Sequence, residues 1–171
     1  GEVMTAHKAA ALLPQRPDDA HKGTFGACMV AAGSVNYCGA ALLASEAAYR
    51  VGAGLVRVAI PGAIYDAVAG QLPEATWLVL PHTDGLINAD AAEIIRRNLK
   101  QITALLVGPG LGDEAVTQEF INQLFGAADS SVTSKRVIGF PGEKRDEKMS
   151  RQAELPSLVI DADGLRLLAR L

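Results

Sequence analysis

Residues 21–61 read HKGTFGACMVAAGSVNYCGAALLASEAAYRVGAGLVRVAIP, and their pattern predicts the unit on which the remaining chain is built. The apolar run at 27–32 lies between two glycines and is typical of a strand buried on both faces. A loop at 33–39 follows, then good helix formers at 40–51 and a second apolar run at 55–60. Such a strand–helix–strand unit leaves its loop at the carboxyl end of a parallel strand, where open α/β sheets bind ligands.

The same alternation of strands and helices continues toward the C-terminus. Apolar runs predict strands at 75–80, 103–107 and 157–160. Helical periodicity and capping residues predict helices at 62–72, at 88–101 with Asn88 as N-cap, and at 113–125 with Asp113 as N-cap. The sequence therefore predicts an α/β fold with a mostly parallel sheet and helices on both faces.

Composition and charge exclude several classes of protein. The 171 residues are 49% hydrophobic and 20% charged, which is ordinary for one globular domain. A net charge of -3 without a block of like charge argues against nucleic acid and anionic membrane as partners. No apolar run approaches the roughly 18 residues of a spanning helix. Cys28 and Cys38 predict neither a disulfide nor a metal site, and we expect a cytoplasmic protein.

The domain organisation is simple. Residues 1–20 are expected to be a lead-in with a short helix, and residues 21–171 form the main domain. The stretch 127–156 has no sustained periodicity and carries a mixed-charge run, so we expect a mobile loop there.

Three loops are expected at the carboxyl ends of predicted parallel strands, at 33–39, 108–112 and 161–164. Each loop alone has a structural explanation, because glycine supplies turns and aspartate caps helices. Their common position at one edge of the sheet favours a binding site over three independent turns.

The residue types in two of these loops indicate phosphate chemistry. Residues 108–112 read GPGLG and place backbone amides at the start of a helix, where anions are favoured. The spacing matches neither the dinucleotide fingerprint GxGxxG nor a Walker A loop. Asp161 and Asp163 follow a buried strand and can hold Mg²⁺ with its waters or orient a substrate hydroxyl. For Asp163, helix capping is an equal alternative.

Five ordered segments resemble the ADP/ATP-dependent NAD(P)H-hydrate dehydratases of the ribokinase-like superfamily, many of which are fused to an NAD(P)H-hydrate epimerase. The segments are HKGTFGACMVAAGS, YCGAALLASEAAYRVGAGLVRVAIP, PEATWLVLP, LLVGPGLGDE and LVIDADGLRLLA. The resemblance covers residues 21–169 and is weakest at 126–156. It implies a ribokinase-like three-layer sandwich, of which this chain contains the N-terminal half.

The resemblance also implies an activity in nicotinamide-cofactor repair. The family uses ADP or ATP with Mg²⁺ to phosphorylate the hydroxyl of hydrated NADH or NADPH, and loss of phosphate then restores the nicotinamide. By the same resemblance, the residues lining the substrate side of the cleft are Gly39, Ala40, Gly108, Gly110, Gly112 and Asp161. An exposed apolar surface where the other half of the domain would pack predicts a homo-oligomer. A fused or separate epimerase is the expected partner.

Two departures from the family pattern bear on catalysis. Arg166 stands where an asparagine usually follows the DADGL segment. The family's Pro-His-Pro-Gly-Glu segment and its glycine-rich loop ending in Gly-Asp, which hold the nucleotide and the catalytic base, do not occur in the 171 residues. We therefore expect no catalytic residue in this chain and no turnover by the chain alone.

Two alternatives remain at this point. The chain could be a non-catalytic half-domain that binds a dinucleotide or a partner chain, which soluble and cooperative folding of the chain alone would favour. It could also belong to a small-molecule kinase of the same superfamily that acts on a sugar or a vitamin precursor, and such a kinase should ignore NADPH.

Overall fold

The computed structural model describes residues 3–13, 17–20, 23–126 and 155–171. Five parallel strands form the main sheet of the described residues, namely β1 (Ala27–Ala31), β2 (Leu55–Pro61), β3 (Thr76–Leu80), β6 (Ala104–Val107) and β7 (Ser157–Ile160). Their order across the sheet is β3-β2-β1-β6-β7. The predicted parallel α/β sheet is confirmed. The predicted mobile loop at 127–156 falls almost wholly outside the described residues.

Helices pack on the two faces of this sheet. They are α2 (Cys38–Val51), α3 (Tyr65–Val68), α4 (Asp90–Arg97), α5 (Ala115–Phe125) and α6 (Asp163–Leu168), whereas α1 (Ala6–Leu12) precedes the sheet and has no buried residue. An antiparallel hairpin, β4 (His82–Thr83) and β5 (Leu86–Ile87), lies between β3 and α4. Within the described ranges, no helix has the length and apolar content needed to cross a bilayer.

Two hydrophobic cores lie on opposite faces of the sheet, because successive strand residues point to opposite sides. On β1, Val30 belongs to the core under α2 and α3, whereas Met29 belongs to the core under α4, α5 and α6. Phe120 of α5 is fully buried in the second core. The result is the three-layer sandwich that the sequence predicted.

Strand β7 forms one edge of the described sheet. Its apolar side chains Leu158 and Val159 are 41% and 56% exposed, although the neighbouring strand β6 is largely buried. A hydrophobic edge strand with exposed backbone groups is a ready template for a further strand.

Three predicted helices differ from the structure. The predicted helix at 62–72 is split into two 3₁₀ turns around the four-residue α3, consistent with the low helix propensity of Gly62 and Gly70. The predicted N-cap Asn88 is not a cap, because its side-chain amide donates to Thr83 Oγ1 at 3.4 Å and helix α4 begins at Asp90.

Helix α4 also ends earlier than predicted. The Asn98 side-chain amide donates to the carbonyl oxygen of Ile94 at 2.9 Å and competes with the backbone, so that the helix stops at Arg97 rather than near residue 101. Asp113 is likewise not the N-cap of α5: that position belongs to Glu114, without a side-chain hydrogen bond.

Candidate functional site

Three turns meet at the carboxyl edge of the sheet. They are the β1 loop (residues 32–37), the glycine loop (residues 108–112) and the β7 turn (residues 161–164). Each follows a strand directly, and the strands β1, β6 and β7 are neighbours in the sheet. The topology therefore brings together the three predicted loops.

Backbone contacts lock the β1 loop against the glycine loop. The amide of Gly33 donates to the carbonyl oxygen of Pro109 at 2.8 Å. Gly110 has a φ of +66°, and a Cβ at this position would lie 2.6 Å from the Cβ of Ala40 and 2.8 Å from that of Tyr37. Only glycine fits such a close approach, which holds the glycine loop against the first turn of α2.

The glycine loop also meets the β7 turn backbone to backbone. Gly108 has a φ of +134°, and a Cβ there would overlap the carbonyl oxygen of Asp161 and lie 2.9 Å from the amide nitrogen of Gly164. The amide of Asp161 donates to the carbonyl oxygen of Val107 at 3.1 Å. The segments around Gly108 and Asp161 are therefore fixed relative to each other without side chains.

The β7 turn holds a strained residue. Ala162 has a φ of 50° and a ψ of -122°, a backbone conformation that residues other than glycine rarely adopt. The amide of Gly164 donates to the carbonyl oxygen of Asp161 at 3.0 Å and closes the turn. The exposed Asp161 carboxylate makes no hydrogen bond or ion pair within the described part of the chain.

The predicted site residues occupy this edge in different roles. Ala40 packs against Gly110, whereas Gly39 is exposed, and a Cβ on Gly39 would meet no atom within 4 Å. The amide of Gly112 donates to Asp163 Oδ2 at 3.1 Å, so it is directed at the protein. Gly39 and Asp161 are thus the predicted residues with the most open surroundings.

Acidic side chains next to the glycine loop are paired with one arginine of α6 and one that follows this helix. Arg170 lies 2.6 Å from Asp113 Oδ1, and Arg166 lies 3.7 Å from Asp163 Oδ1. The hydrogen bond from Arg170, with its charge, lowers the pKa of the exposed Asp113 carboxyl below its usual value. Together the two arginines offset negative charge beside the loop.

The sequence predicted that Asp161 or Asp163 could hold Mg²⁺. Among the residues that the structure describes, no three His, Cys, Asp or Glu side chains are grouped as a metal cluster. Mg²⁺ needs no such cluster, because it commonly binds through one or two carboxylates and keeps several waters. Asp161 suits that role, whereas Asp163 is already engaged by Gly112 and Arg166.

Two residues of the β1 loop were not predicted from the sequence to belong to the site. Tyr37 packs against Gly110, and Ser34 is fully buried with a hydroxyl that has no hydrogen-bond partner among the described residues. A serine directly after a buried apolar strand and a glycine was the available signal for Ser34. Nothing local in the sequence indicated the contact of Tyr37 with a loop that lies more than 70 residues away.

A cavity of about 450 Å³ is lined by Gly39 and by further residues of α2 and of the segment before β3. Its remaining lining residues are Leu42, Leu43, Glu46, Gln71, Leu72 and Glu74. The two glutamates make its rim acidic, which disfavours a phosphate group. In the glycine loop, by contrast, the amide of Gly110 is a backbone donor without a partner among the described residues, because the amides of Gly108, Leu111 and Gly112 are bonded within the protein.

Comparison with known proteins gives one consistent family. A family model for NAD(P)H-hydrate dehydratase matches residues 28–171. The bifunctional NAD(P)H-hydrate repair enzyme of Moorella thermoacetica is 32% identical over 123 residues, which are 71% of this chain and 23% of that protein.

Solved structures agree with the sequence relatives. The ADP/ATP-dependent NAD(P)H-hydrate dehydratase of Bacillus subtilis, co-crystallised with ATP and Mg²⁺, superposes with a TM-score of 0.54 at 29% identity and covers 72% of this chain and 42% of its own. A ribokinase-like superfamily protein of Enterococcus faecalis gives a TM-score of 0.54 at 27% identity, covering 66% of this chain and 36% of its own.

The chain spans less than half of the length of each of these three proteins. The shared part contains the three interlocked turns, because the family match begins at Cys28 and continues through α6. The fold, the motifs and the family match agree, and this chain belongs to the NAD(P)H-hydrate dehydratase family, with the ribokinase-like architecture.

Proposed function

We propose that this chain provides the substrate-binding part of a nucleotide-dependent NAD(P)H-hydrate dehydratase. The observation that carries the proposal is the convergence of the β1 loop, the glycine loop and the β7 turn at one edge of the sheet. The amide of Gly110 and the carboxylate of Asp161 have no partner within the described residues. A phosphate oxygen and a hydroxyl are the ligand groups that suit these two atoms.

The proposed reaction has two stages. A phosphoryl group passes from ADP or ATP to the hydroxyl of hydrated NADH or NADPH, and the bond between carbon and the phosphorylated oxygen then breaks. The oxygen leaves as part of phosphate, and loss of a proton from the neighbouring carbon restores the ring double bond. Phosphate leaves far more readily than hydroxide, which explains the need for a nucleotide.

The residues of this chain would bind and orient rather than react. The backbone amides of Gly110 and of Gly39 in the first turn of α2 would hold phosphate oxygens of the dinucleotide, while Ala40, whose amide donates to the carbonyl oxygen of Tyr37 at 3.1 Å, would line the site. Asp161 would orient the substrate hydroxyl or hold Mg²⁺ through water, and Mg²⁺ when bound supplies neutralisation of phosphoryl charge. We propose that the catalytic base and the nucleotide site belong to sequence outside these 171 residues.

The same proposal includes ADP or ATP as the phosphoryl donor, and an epimerase and further copies of the chain as partners. The Bacillus subtilis relative is ADP/ATP-dependent and was co-crystallised with ATP and Mg²⁺, which supports either nucleotide here. The Moorella relative is a bifunctional repair enzyme, which supports a fused or separate epimerase. The exposed apolar residues of β7 support association, either with the rest of the domain or in a homo-oligomer. A cytoplasmic location fits the proposed substrate, because hydrated NADH and NADPH are water-soluble dinucleotides.

A binding experiment on the chain tests the proposal. Hydrated NADPH is titrated into the chain by calorimetry, with the variant Asp161→Ala and with Glu74→Ala in the acidic cavity as the matched control. We expect saturable binding that Asp161→Ala weakens by about tenfold, the loss typical of one hydrogen bond to a charged group. Unchanged binding in Asp161→Ala, or binding of a sugar with no response to hydrated NADPH, would contradict the proposed function.

A further inference from the structure

The carboxylate of Asp163 has a geometry that differs from that of Asp161. Asp163 Oδ2 accepts a hydrogen bond from the amide of Gly112 at 3.1 Å, across 51 residues of sequence. Its side chain is only 18% exposed, and Oδ1 faces the Arg166 guanidinium at 3.7 Å. Both carboxylate oxygens are therefore directed at protein groups, while Asp161 two residues earlier is exposed.

Helix capping does not explain this geometry. Helix α6 begins at Asp163 itself, and the N-cap position is Ala162, without a side-chain hydrogen bond. The partner of Asp163 is instead the last residue of the glycine loop, immediately before the segment that leads into α5. The contact therefore acts on the loop and not on the helix that carries the aspartate.

The glycine loop needs such a tether at its second end. Its first end is fixed at Gly108 by the hydrogen bond from its amide to Ala31 and by the close approach to Asp161. Gly112 has a φ of +89°, in a region where glycine is conformationally free. Without the bond to Asp163, the orientation of the peptide planes between Gly110 and Gly112 would be set by weaker contacts.

We infer that Asp163 is a positioning residue, which holds the glycine loop in the conformation that presents the unpartnered amide of Gly110 to substrate phosphate and does not itself bind metal or substrate. The inference rests on the proposed function only for the nature of the ligand. The hydrogen bond to Gly112 is the contact through which Asp163 acts on the site.

The charge of Arg166 is part of this arrangement. A carboxylate beside an anion-binding loop repels phosphate unless its charge is offset. The amide of Gly112 and the guanidinium of Arg166 together provide that offset for Asp163. This gives a role to the arginine that stands where the family resemblance leads one to expect asparagine.

Hydrogen exchange at single amides, read by NMR on the 171-residue chain, tests the inference with three variants. Asp163→Ala removes the acceptor, Asp163→Asn keeps an oxygen acceptor without the charge, and Asp113→Asn changes a neighbouring carboxylate that bonds Arg170 instead of the loop. We expect Asp163→Ala to speed exchange by about tenfold or more at Gly112 and at Leu111, whose amide donates to the carbonyl oxygen of Gly108 at 3.2 Å, because an opened hydrogen bond exposes these amides. Asp163→Asn should restore parental exchange, and Asp113→Asn should change it less than twofold.

Affinity for hydrated NADPH provides the second measurement. We expect Asp163→Ala to weaken binding by about tenfold, and Asp163→Asn to bind within about threefold of the parent, since the acceptor is retained. Parental affinity in a folded Asp163→Ala would overturn the positioning role. Equal losses in both variants would also overturn it, because the charge and not the acceptor would then be required, as for a metal ligand.

The two proposals fail separately. If the parent chain does not bind hydrated NADPH, the proposed function fails for this chain, and the exchange rates at Leu111 and Gly112 still decide whether Asp163 orders the loop. If Asp163→Ala does not fold, Asp163→Asn decides alone. Protected Gly112 with near-parental affinity supports the inference, and an unprotected Gly112 contradicts it.

Discussion

The glycine loop is joined to the rest of the molecule on two sides, and the two joints differ in their chemistry. Toward β1 and the β7 backbone, Gly108 and Gly110 make contacts that leave no space for a Cβ. Toward α6, the contacts are polar and involve the side chains of Asp163 and Arg170. Close backbone contacts leave no space for an added Cβ, whereas hydrogen bonds made by side chains can be removed one at a time. Substitutions on the two sides should therefore differ in size of effect.

The largest effect is expected at Gly108. In Gly108→Ala the new Cβ would overlap the Asp161 carbonyl oxygen, which is backbone and cannot rotate away. We expect a loss of more than about 3 kcal/mol in the free energy of unfolding, as for other severe backbone conflicts. The midpoint of urea unfolding measures this loss.

Gly39→Ala is the matched control for Gly108→Ala, because a Cβ on Gly39 would meet no atom within 4 Å. Alanine is also the better helix former, so we expect no loss of stability and a gain of up to about 1 kcal/mol. Equal unfolding midpoints for the two alanine variants would show that the joint at Gly108 is not as tight as the structure indicates.

A smaller loss is expected at Gly110. Its Cβ would lie 2.6 Å from the Cβ of Ala40 and 2.8 Å from that of Tyr37, a less severe conflict than the overlap with backbone at Gly108. We expect Gly110→Ala to lower the free energy of unfolding by about 1–3 kcal/mol, the cost of a left-handed alanine plus part of the clash. Thermal unfolding measures it, and a loss as large as that of Gly108→Ala would show that the β1 loop is as rigid as the β7 turn.

The strained turn should respond in the opposite direction. Ala162→Gly places glycine at a φ of 50° and relieves strain, but it also increases the freedom of the unfolded chain. We expect a net stabilisation of up to about 1 kcal/mol in urea unfolding. Destabilisation by this substitution would mean that the Ala162 methyl group makes a favourable contact that outweighs the strain.

The smallest effect is expected for the pair Asp113–Arg170, because both side chains are exposed and salt screens them. The folded-state pKa of Asp113 is lowered, so its contribution to stability is present above the usual pKa of an aspartate and is lost as the pH falls through the lowered pKa of the folded state. Parent and Asp113→Asn should therefore differ slightly near neutral pH and converge in acid. A difference that grows on acidification would contradict the sign of this shift.

Much of this architecture follows from local signals. Buried strands such as β1 and β6 are short apolar runs ended by glycine, and strand ends of a parallel sheet share one edge. The three turns were predictable for that reason. The β4–β5 hairpin was missed although Asp84-Gly85 is a strong turn signal, because the two strands have only two residues each.

The polar joint could not be predicted from the sequence. Asp113 pairs with Arg170 and Gly112 with Asp163 across more than 50 residues, and no periodicity links such positions. Asp113 had the pattern of a helix cap, and only the tertiary approach of α6 shows that its carboxylate is directed elsewhere. A capping residue in the sequence indicates a side chain that can accept a hydrogen bond, but long-range packing decides which group donates that bond.

The central claim is that the three turns together receive the dinucleotide, and a residue-by-residue map of bound hydrated NADPH tests it most directly. NMR shifts of the backbone amides of the chain are followed during titration with this ligand. The account predicts the largest changes at Gly110 and Asp161 and at Gly39, which follows the β1 loop in the first turn of α2, with little change at Glu46 and Glu74 of the acidic cavity. Changes confined to the acidic cavity, or none at the three turns at saturating ligand, would contradict it.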